Sequence, residues 1–290
     1  MKPQTKLVST IDFHVTSECN QECPYCWGPQ DFEHPVKTAK ALKIITHIKT
    51  LGARRIVFTG GDPLKREDSP QLIHHAKTIG LEVALSTTGD ELKLGFLSLV
   101  GTDIDLISLP LDGSSESVNA QTKEEGHFAA IIQALEWLRG YPDIDVKLAT
   151  PVTRFNLSDV PNIAGLANNY SQTTSARVFY NIFQAFPRSM DKEVVWDDYI
   201  VSDREFNELK QLLSEVKGIA INFLSHETLD KLYAMIFPDG CLVVPSGGDF
   251  LKYGQFLKVK DLDKVLQHTG FDSNKHLRHS KGWEKRQMHK

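Results

Sequence analysis

The amino-acid sequence predicts an α/β fold in which six β-then-α units form a parallel sheet curling into a partial barrel, followed by an α+β extension. Three observations carry that expectation. Strand and helix periodicities alternate six times between about residues 9 and 185. The connections are long enough for helical crossovers between parallel strands. Glycine and hydroxyl residues gather where the strands end, the end at which parallel barrels carry their active sites. With 290 residues and 41% hydrophobic content the chain can bury one sizeable core. Residues 1–200 are read as that core and residues 201–290 as an extension packed on it.

The first strand, Ser9 to Val15, places apolar Ile11, Phe13 and Val15 at alternate positions. Ala41, Ile44, Ile45, Ile48 and Leu51 recur at helical spacing, and the second strand, Arg55 to Phe58, runs into Thr59-Gly60-Gly61-Asp62-Pro63. A helix over Gln71 to Ile79, a strand over Glu82 to Leu85 and a short helix over Leu92 to Leu99 come next. Then follow a strand Ile104 to Leu109, a helix Gly126 to Arg139, a strand Asp145 to Ala149, a helix Val160 to Asn168 and a strand Ala176 to Phe183. Ser202-Asp203-Arg204-Glu205 is a capping box that opens a helix reaching Lys217, and Ile219 to Phe223 reads as a strand. Tyr233 to Phe237 and Cys241 to Val244 flank Pro238-Asp239-Gly240 as a β-hairpin. Residues 268–290 are basic and His-rich, and read either as a solvated tail or as cover over the barrel mouth.

The chemistry concentrates in Cys19-Asn20-Gln21-Glu22-Cys23-Pro24-Tyr25-Cys26, a C-x3-C-x2-C spacing on the loop after the first strand. Three thiolates leave one iron of a [4Fe–4S] cube open, and an open iron binds a ligand and does chemistry on it. A zinc site is the alternative, with His14 or His34 as fourth ligand, although zinc sites usually come as two close pairs and no second pair exists. The Gly60-Gly61 pair lets backbone groups approach a ligand closely, and the Asp62 carboxylate suits an ammonium group. Strand ends supply further candidates: Ser86, Thr87 and Thr88 before Gly89, Asp112-Gly113, Lys147 and Thr150, and Gln184 and Arg188.

Composition narrows the partners. Lys+Arg number 33 against Asp+Glu 37, so charge makes no case for nucleic acid. No apolar run of membrane length occurs, and cluster-ligating cysteines need a reducing compartment, so a cytoplasmic location is expected.

The cysteine spacing, with Tyr25 before the last cysteine, and the Gly60-Gly61-Asp62-Pro63 element one strand and one helix later, resemble the radical S-adenosylmethionine (SAM) superfamily. That resemblance covers roughly residues 9 to 185 and implies a (β/α)6 TIM-like partial barrel. It implies a single [4Fe–4S] cluster held by Cys19, Cys23 and Cys26, with SAM bound through its amino and carboxylate groups at the open iron. Gly60, Gly61, Asp62 and Pro63 would contact the methionine amino group, with Tyr25, Ser86 and Thr88 completing the cofactor site and Lys147, Gln184 and Arg188 facing substrate. One electron from a donor such as flavodoxin or ferredoxin would yield a 5′-deoxyadenosyl radical that abstracts hydrogen. Beyond the motif only Cys241 remains, so auxiliary clusters are not expected.

Phe13-His14-Val15-Thr16, Val118-Asn119, Thr153-Arg154-Phe155-Asn156, Ser202 to Phe206 and Gly270-Phe271-Asp272 are similar to viperin-like enzymes, which act on nucleoside triphosphates. Ala149, where that group has asparagine, and Glu124-Glu125, in a loop that there holds glycine and arginine, depart from the pattern. Three function classes follow: an enzyme acting on a nucleotide or related metabolite, a peptide-modifying enzyme such as an epimerase using Cys241 as hydrogen donor, or a non-enzymatic cluster or zinc protein.

Overall fold

The computed structural model describes residues 7–29, 34–187 and 195–281. Strands β1 (Thr10–Thr16), β2 (Arg55–Gly60), β3 (Glu82–Ser86), β4 (Leu106–Pro110), β5 (Asp145–Val152), β6 (Val178–Gln184) and β7 (Ala220–Leu224) pair in parallel in that order. Between them run α1 (Thr38–Thr50), α2 (Ser69–Thr78), α3 (Leu94–Val100), α4 (Glu116–Asn119), α5 (His127–Leu138), α6 (Val160–Ser171) and α7 (Asp203–Leu213). The predicted alternation is there, with α7 and β7 adding a seventh unit to the same sheet. After α8 (His226–Leu229), β8 (Met235–Ile236) pairs in parallel with the free edge of β1, and β9 (Cys241–Ser246) and β10 (Asp249–Gln255) continue antiparallel. The ten strands make one sheet whose ends do not meet, an open barrel, and it runs through both the core and the extension.

The apolar phase of each strand and the inner stripe of each helix meet outside the barrel. Ile11, Phe13 and Val15 of β1 and Ala41, Ile44, Ile45 and Ile48 of α1 are all 0% exposed, burial of each side chain larger than Ala41 contributing on the order of 1.5–3 kcal/mol. The hairpin forms as predicted: Gly240 takes φ 84°, Asp239 accepts from the Cys241 amide at 2.9 Å, and Ile236 pairs with Leu242. Strand β10, which lacks a clean alternation, was not expected.

The described part of the tail, residues 268–281, departs from a solvated reading, and residues 282–290 lie outside the described residues. The segment folds as the end of α9 (Leu262–Thr269) and as α10 (Ser273–Lys281), and His276 is 3% exposed. Its Nε2 accepts from the Ser9 and Thr10 amides at 3.1 and 3.3 Å, and Nδ1 lies 3.0 Å from the Leu232 carbonyl. Strand β1 begins with amides that no neighbouring strand satisfies, and the imidazole satisfies them.

Candidate active site

The cysteine loop leaves the C-terminal end of β1 and lies against the Gly60-Gly61 end of β2. A Cβ on Gly61 would sit 2.2 Å from the Glu18 carbonyl, and one on Gly60, at φ 149°, 2.2 Å from the Thr16 carbonyl. The amides of Gly61 and Asp62 donate to Thr16 and Glu18 at 2.8 and 2.7 Å. The two glycines are therefore required by close approach of the protein's own cysteine loop, which fixes where the three thiols stand. Burial, followed by the charges of Asp62, Cys23 and Cys26, pushes the Cys19 thiol up to about 11. Burial likewise raises the Cys23 thiol, and a cysteine binds a metal as its thiolate, so cluster binding offsets that cost. Among the described residues no three His, Cys, Asp or Glu side chains converge as a single-ion site needs, all ligands of zinc lying about 2.0–2.3 Å from one point. A cube spreads its thiolates over separate irons, and three cysteines on one loop suit that donor set. His34 is exposed, and His14 is buried below the loop against Phe237.

Several predicted contacts are spent inside the protein. Asp62 is 0% exposed and caps the turn over Pro63–Lys65: one oxygen accepts from the Leu64 amide (3.0 Å) and Thr87 hydroxyl (2.8 Å), the other from the Thr88 hydroxyl (2.6 Å). The carboxylate thus ties the end of β2 to the end of β3, and the Thr88 hydroxyl is part of that tie. Thr150 donates to the Leu111 carbonyl at 2.5 Å. Gln184 bonds Asp203 at 2.7 Å and the His226 amide at 3.4 Å, joining β6 to the extension. Tyr25 donates to Asp112, which also accepts from Thr122 at 3.0 Å and faces Lys123 at 3.8 Å. Cys241 accepts from Gln255 at 3.1 Å on the outer hairpin and lines neither cavity. Arg188 lies outside the described residues.

Inside the barrel the polar phase of β1 faces a chamber of about 200 Å³, with Asp12, His14, Arg55, Ser86, Lys147 and His279 in its wall. Burial pushes the Asp12 carboxyl up to about 7 and the Lys147 ammonium down to about 7, each against the attraction of the other. Burial holds His14 down to about 3, so its ring is neutral, and neither ring nitrogen has a protein partner. Ser86 and Lys147 were expected at the site; Asp12, Arg55 and His279 were not. The signal for Asp12 and Arg55 was the polar phase of strands covered on both faces, where an alternating pattern has no solvent to explain it, and His279 on α10 carried none. Trp27, directly after Cys26, lines both this chamber and a mouth cavity of about 870 Å³ beside Gln184. The mouth wall carries Asp203, Glu227, Asp230 and Asp249 against Lys275 and His226.

Comparison with known proteins agrees with this geometry. The family model of the radical SAM superfamily matches residues 13–167. The S-adenosylmethionine-dependent nucleotide dehydratase of Flammeovirga pacifica is 24% identical over 289 residues, 93% of this chain and 94% of its own. The protein of the same name from Fibrobacter sp. (strain UWH6) is 23% identical over 91% of this chain and 86% of its own. Streptococcus suis SuiB bound to S-adenosylmethionine superposes with a TM-score of 0.68 at 13% identity, over 93% of this chain and 68% of its own. That likeness shows the fold alone.

Proposed function

The chain belongs to the radical SAM superfamily, and from that premise we propose that it abstracts hydrogen from a small polar molecule, a nucleotide, whose reacting end enters the chamber inside the barrel. When bound, the [4Fe–4S] cluster and SAM together supply reductive cleavage of a sulfonium C–S bond to a 5′-deoxyadenosyl radical. Cys19, Cys23 and Cys26 would hold the cluster, and the strand end at Gly60 and Gly61, which fixes the cysteine loop, would border the methionine end of SAM. The electron comes from a flavodoxin- or ferredoxin-like carrier in the reducing cytoplasm. The barrel wall excludes water from a reactive species.

The observation that carries this reading is the chamber under Trp27. It is lined by Asp12, His14, Arg55 and Lys147, and both His14 ring nitrogens are without a protein partner. A buried imidazole left unsatisfied costs roughly 1–3 kcal/mol, and a ligand hydroxyl or amide removes that cost. About 200 Å³ accepts a nucleobase, a sugar or a single side chain, not a stretch of chain. Two relatives matched over nearly their whole length carry the name nucleotide dehydratase, which favours the nucleotide class.

The test is anaerobic incubation of reconstituted enzyme, SAM and dithionite with each of the four ribonucleoside triphosphates, their nucleosides and a mixed peptide pool. A nucleotide or nucleoside should raise 5′-deoxyadenosine formation above the substrate-free rate. His14→Phe should abolish that rise and leave the substrate-free rate intact. Stimulation by the peptide pool alone would overturn the nucleotide reading.

A further inference from the structure

Lys123, in the loop between α4 and α5, is a lysine whose long stem could carry its ammonium to water, yet its side chain is only 5% exposed. The ammonium lies 3.0 Å from Cys23 Sγ, 3.8 Å from Asp112 Oδ2 and 5.6 Å from the centre of the Tyr25 ring. A buried ammonium is costly unless paired. The sulfur is the nearer of the two partners, and the carboxylate is farther off and already accepts from Tyr25 and Thr122. The loop is held there by local bonds: the Lys123 amide donates to Asn119 at 3.1 Å, and the Glu124 amide donates to the Gln21 side chain at 3.0 Å, which is itself in the cysteine loop.

We infer that Lys123 is a positioning residue for electron transfer: its charge-assisted hydrogen bond to the Cys23 sulfur raises the reduction potential of the cluster. Reduction adds one electron to the oxidised cluster, taken from a low-potential one-electron carrier that is oxidised by one electron, with no bond or proton moved. The added negative charge is stabilised by a fixed cation at hydrogen-bond distance in a site with little water to screen it. Hydrogen bonds to ligand sulfurs and local charge are among the levers that set such potentials. Asp112 acts with the opposite sign, and at 3.8 Å from the ammonium it offsets only part of the effect.

The inference rests on the cluster reading above, and the experiment separates the two. Full-length wild type, Lys123→Met, Lys123→Arg and Asp112→Asn are reconstituted anaerobically, assayed for iron, and titrated with dithionite and mediators while the reduced cluster is followed by electron paramagnetic resonance without SAM. Lys123→Met should disfavour reduction at least tenfold, which for one electron is a midpoint about 59 mV more negative. Lys123→Arg should recover most of that shift, and Asp112→Asn should move the midpoint positive. An unchanged midpoint in Lys123→Met at full iron content overturns the inference. If that variant does not keep its cluster, an Asp112→Asn midpoint that is unmoved or more negative overturns it instead. Wild type without iron would overturn the cluster reading itself.

Discussion

Strand β1 is anchored at both ends, and the two anchors differ in kind. At its C-terminal end the cysteine loop is fixed by backbone: Thr16 and Glu18 accept from Gly61 and Asp62. At its N-terminal end a single side chain, His276, takes the amides of Ser9 and Thr10 from 267 and 266 residues away. The first anchor is written in a few consecutive residues on each of two strands, and the second in a pairing that no local pattern signals. The contrast also separates chemistry from stability. The mouth end presents half-buried and exposed thiols that the core does not need, whereas the other end holds a buried group that the core does need.

The sharpest way to break this separation is at the mouth. Cys19→Ala, Cys23→Ala and Cys26→Ala should each abolish 5′-deoxyadenosine formation and reduce bound iron, while the apoprotein of the Cys19 and Cys26 variants unfolds in urea within about 0.5 kcal/mol of wild type and that of Cys23→Ala loses about 1–3 kcal/mol, because the buried Lys123 ammonium loses its nearest partner. Retained activity in a zinc-loaded, iron-free protein would remove the cluster from the account. A large loss of apoprotein stability in the Cys19 or Cys26 variant would show that the loop is structural after all.

Asp62 is the next test, because it stands at the mouth yet behaves like a core residue. Asp62→Ala strands the Leu64 amide and the Thr87 and Thr88 hydroxyls, and should cost about 3–4 kcal/mol of apoprotein stability. A carboxylate whose task was to meet the SAM ammonium would lower SAM affinity and leave the apoprotein unmoved. Urea unfolding without SAM, set beside SAM titration of the reconstituted variant, decides between the two.

His276 tests the far anchor, and pH gives its signature. The unfolded imidazole titrates near 6.5, and burial holds the folded one down to about 4. A folded value below the unfolded one means that this stabilisation is complete above about pH 6.5 and is lost as pH falls from there through about 4. A shift of that size corresponds to on the order of 3 kcal/mol. His276→Ala should cost about 2–3 kcal/mol at pH 7 and flatten the fall in stability between pH 7 and 5. Equal pH slopes for variant and wild type would show that the tail is held by something else, the neighbouring half-buried His279 being the first group to examine.

What the sequence made legible follows the same division. The parallel sheet was readable because each strand carries its own period and each helix its own stripe. The cysteine loop was readable because three ligands to one group stand within eight residues. For Asp62 and Thr88 the sequence shows a position and not the mutual bond: a strand-end carboxylate looks the same whether it meets a ligand or the hydroxyls of the next strand. The chamber was half legible, since Ser86 and Lys147 were expected at the site, but Asp12 and Arg55 gain their meaning only when the curled sheet brings β1, β2 and β5 around one chamber. Strand β8, two residues long, closes onto β1 through a pairing more than 200 positions apart, which periodicity does not show.

Cys241 gives the smallest expected effect and the cleanest test of a class. It opens β9 on the outer hairpin, half-buried, with its thiol accepting from Gln255, and the same Gln255 amide also reaches the Asp239 carbonyl at 3.2 Å. Cys241→Ala therefore leaves the amide with a partner and should change stability by less than about 0.5 kcal/mol. Because the thiol lines neither cavity, it has no path to a substrate radical formed under Trp27, and product formation should continue at the wild-type rate. If Cys241→Ala instead stops product while 5′-deoxyadenosine still forms, hydrogen abstraction and hydrogen return are separate events with Cys241 as the donor. The hairpin would then move during turnover, and the epimerase reading would replace the nucleotide one.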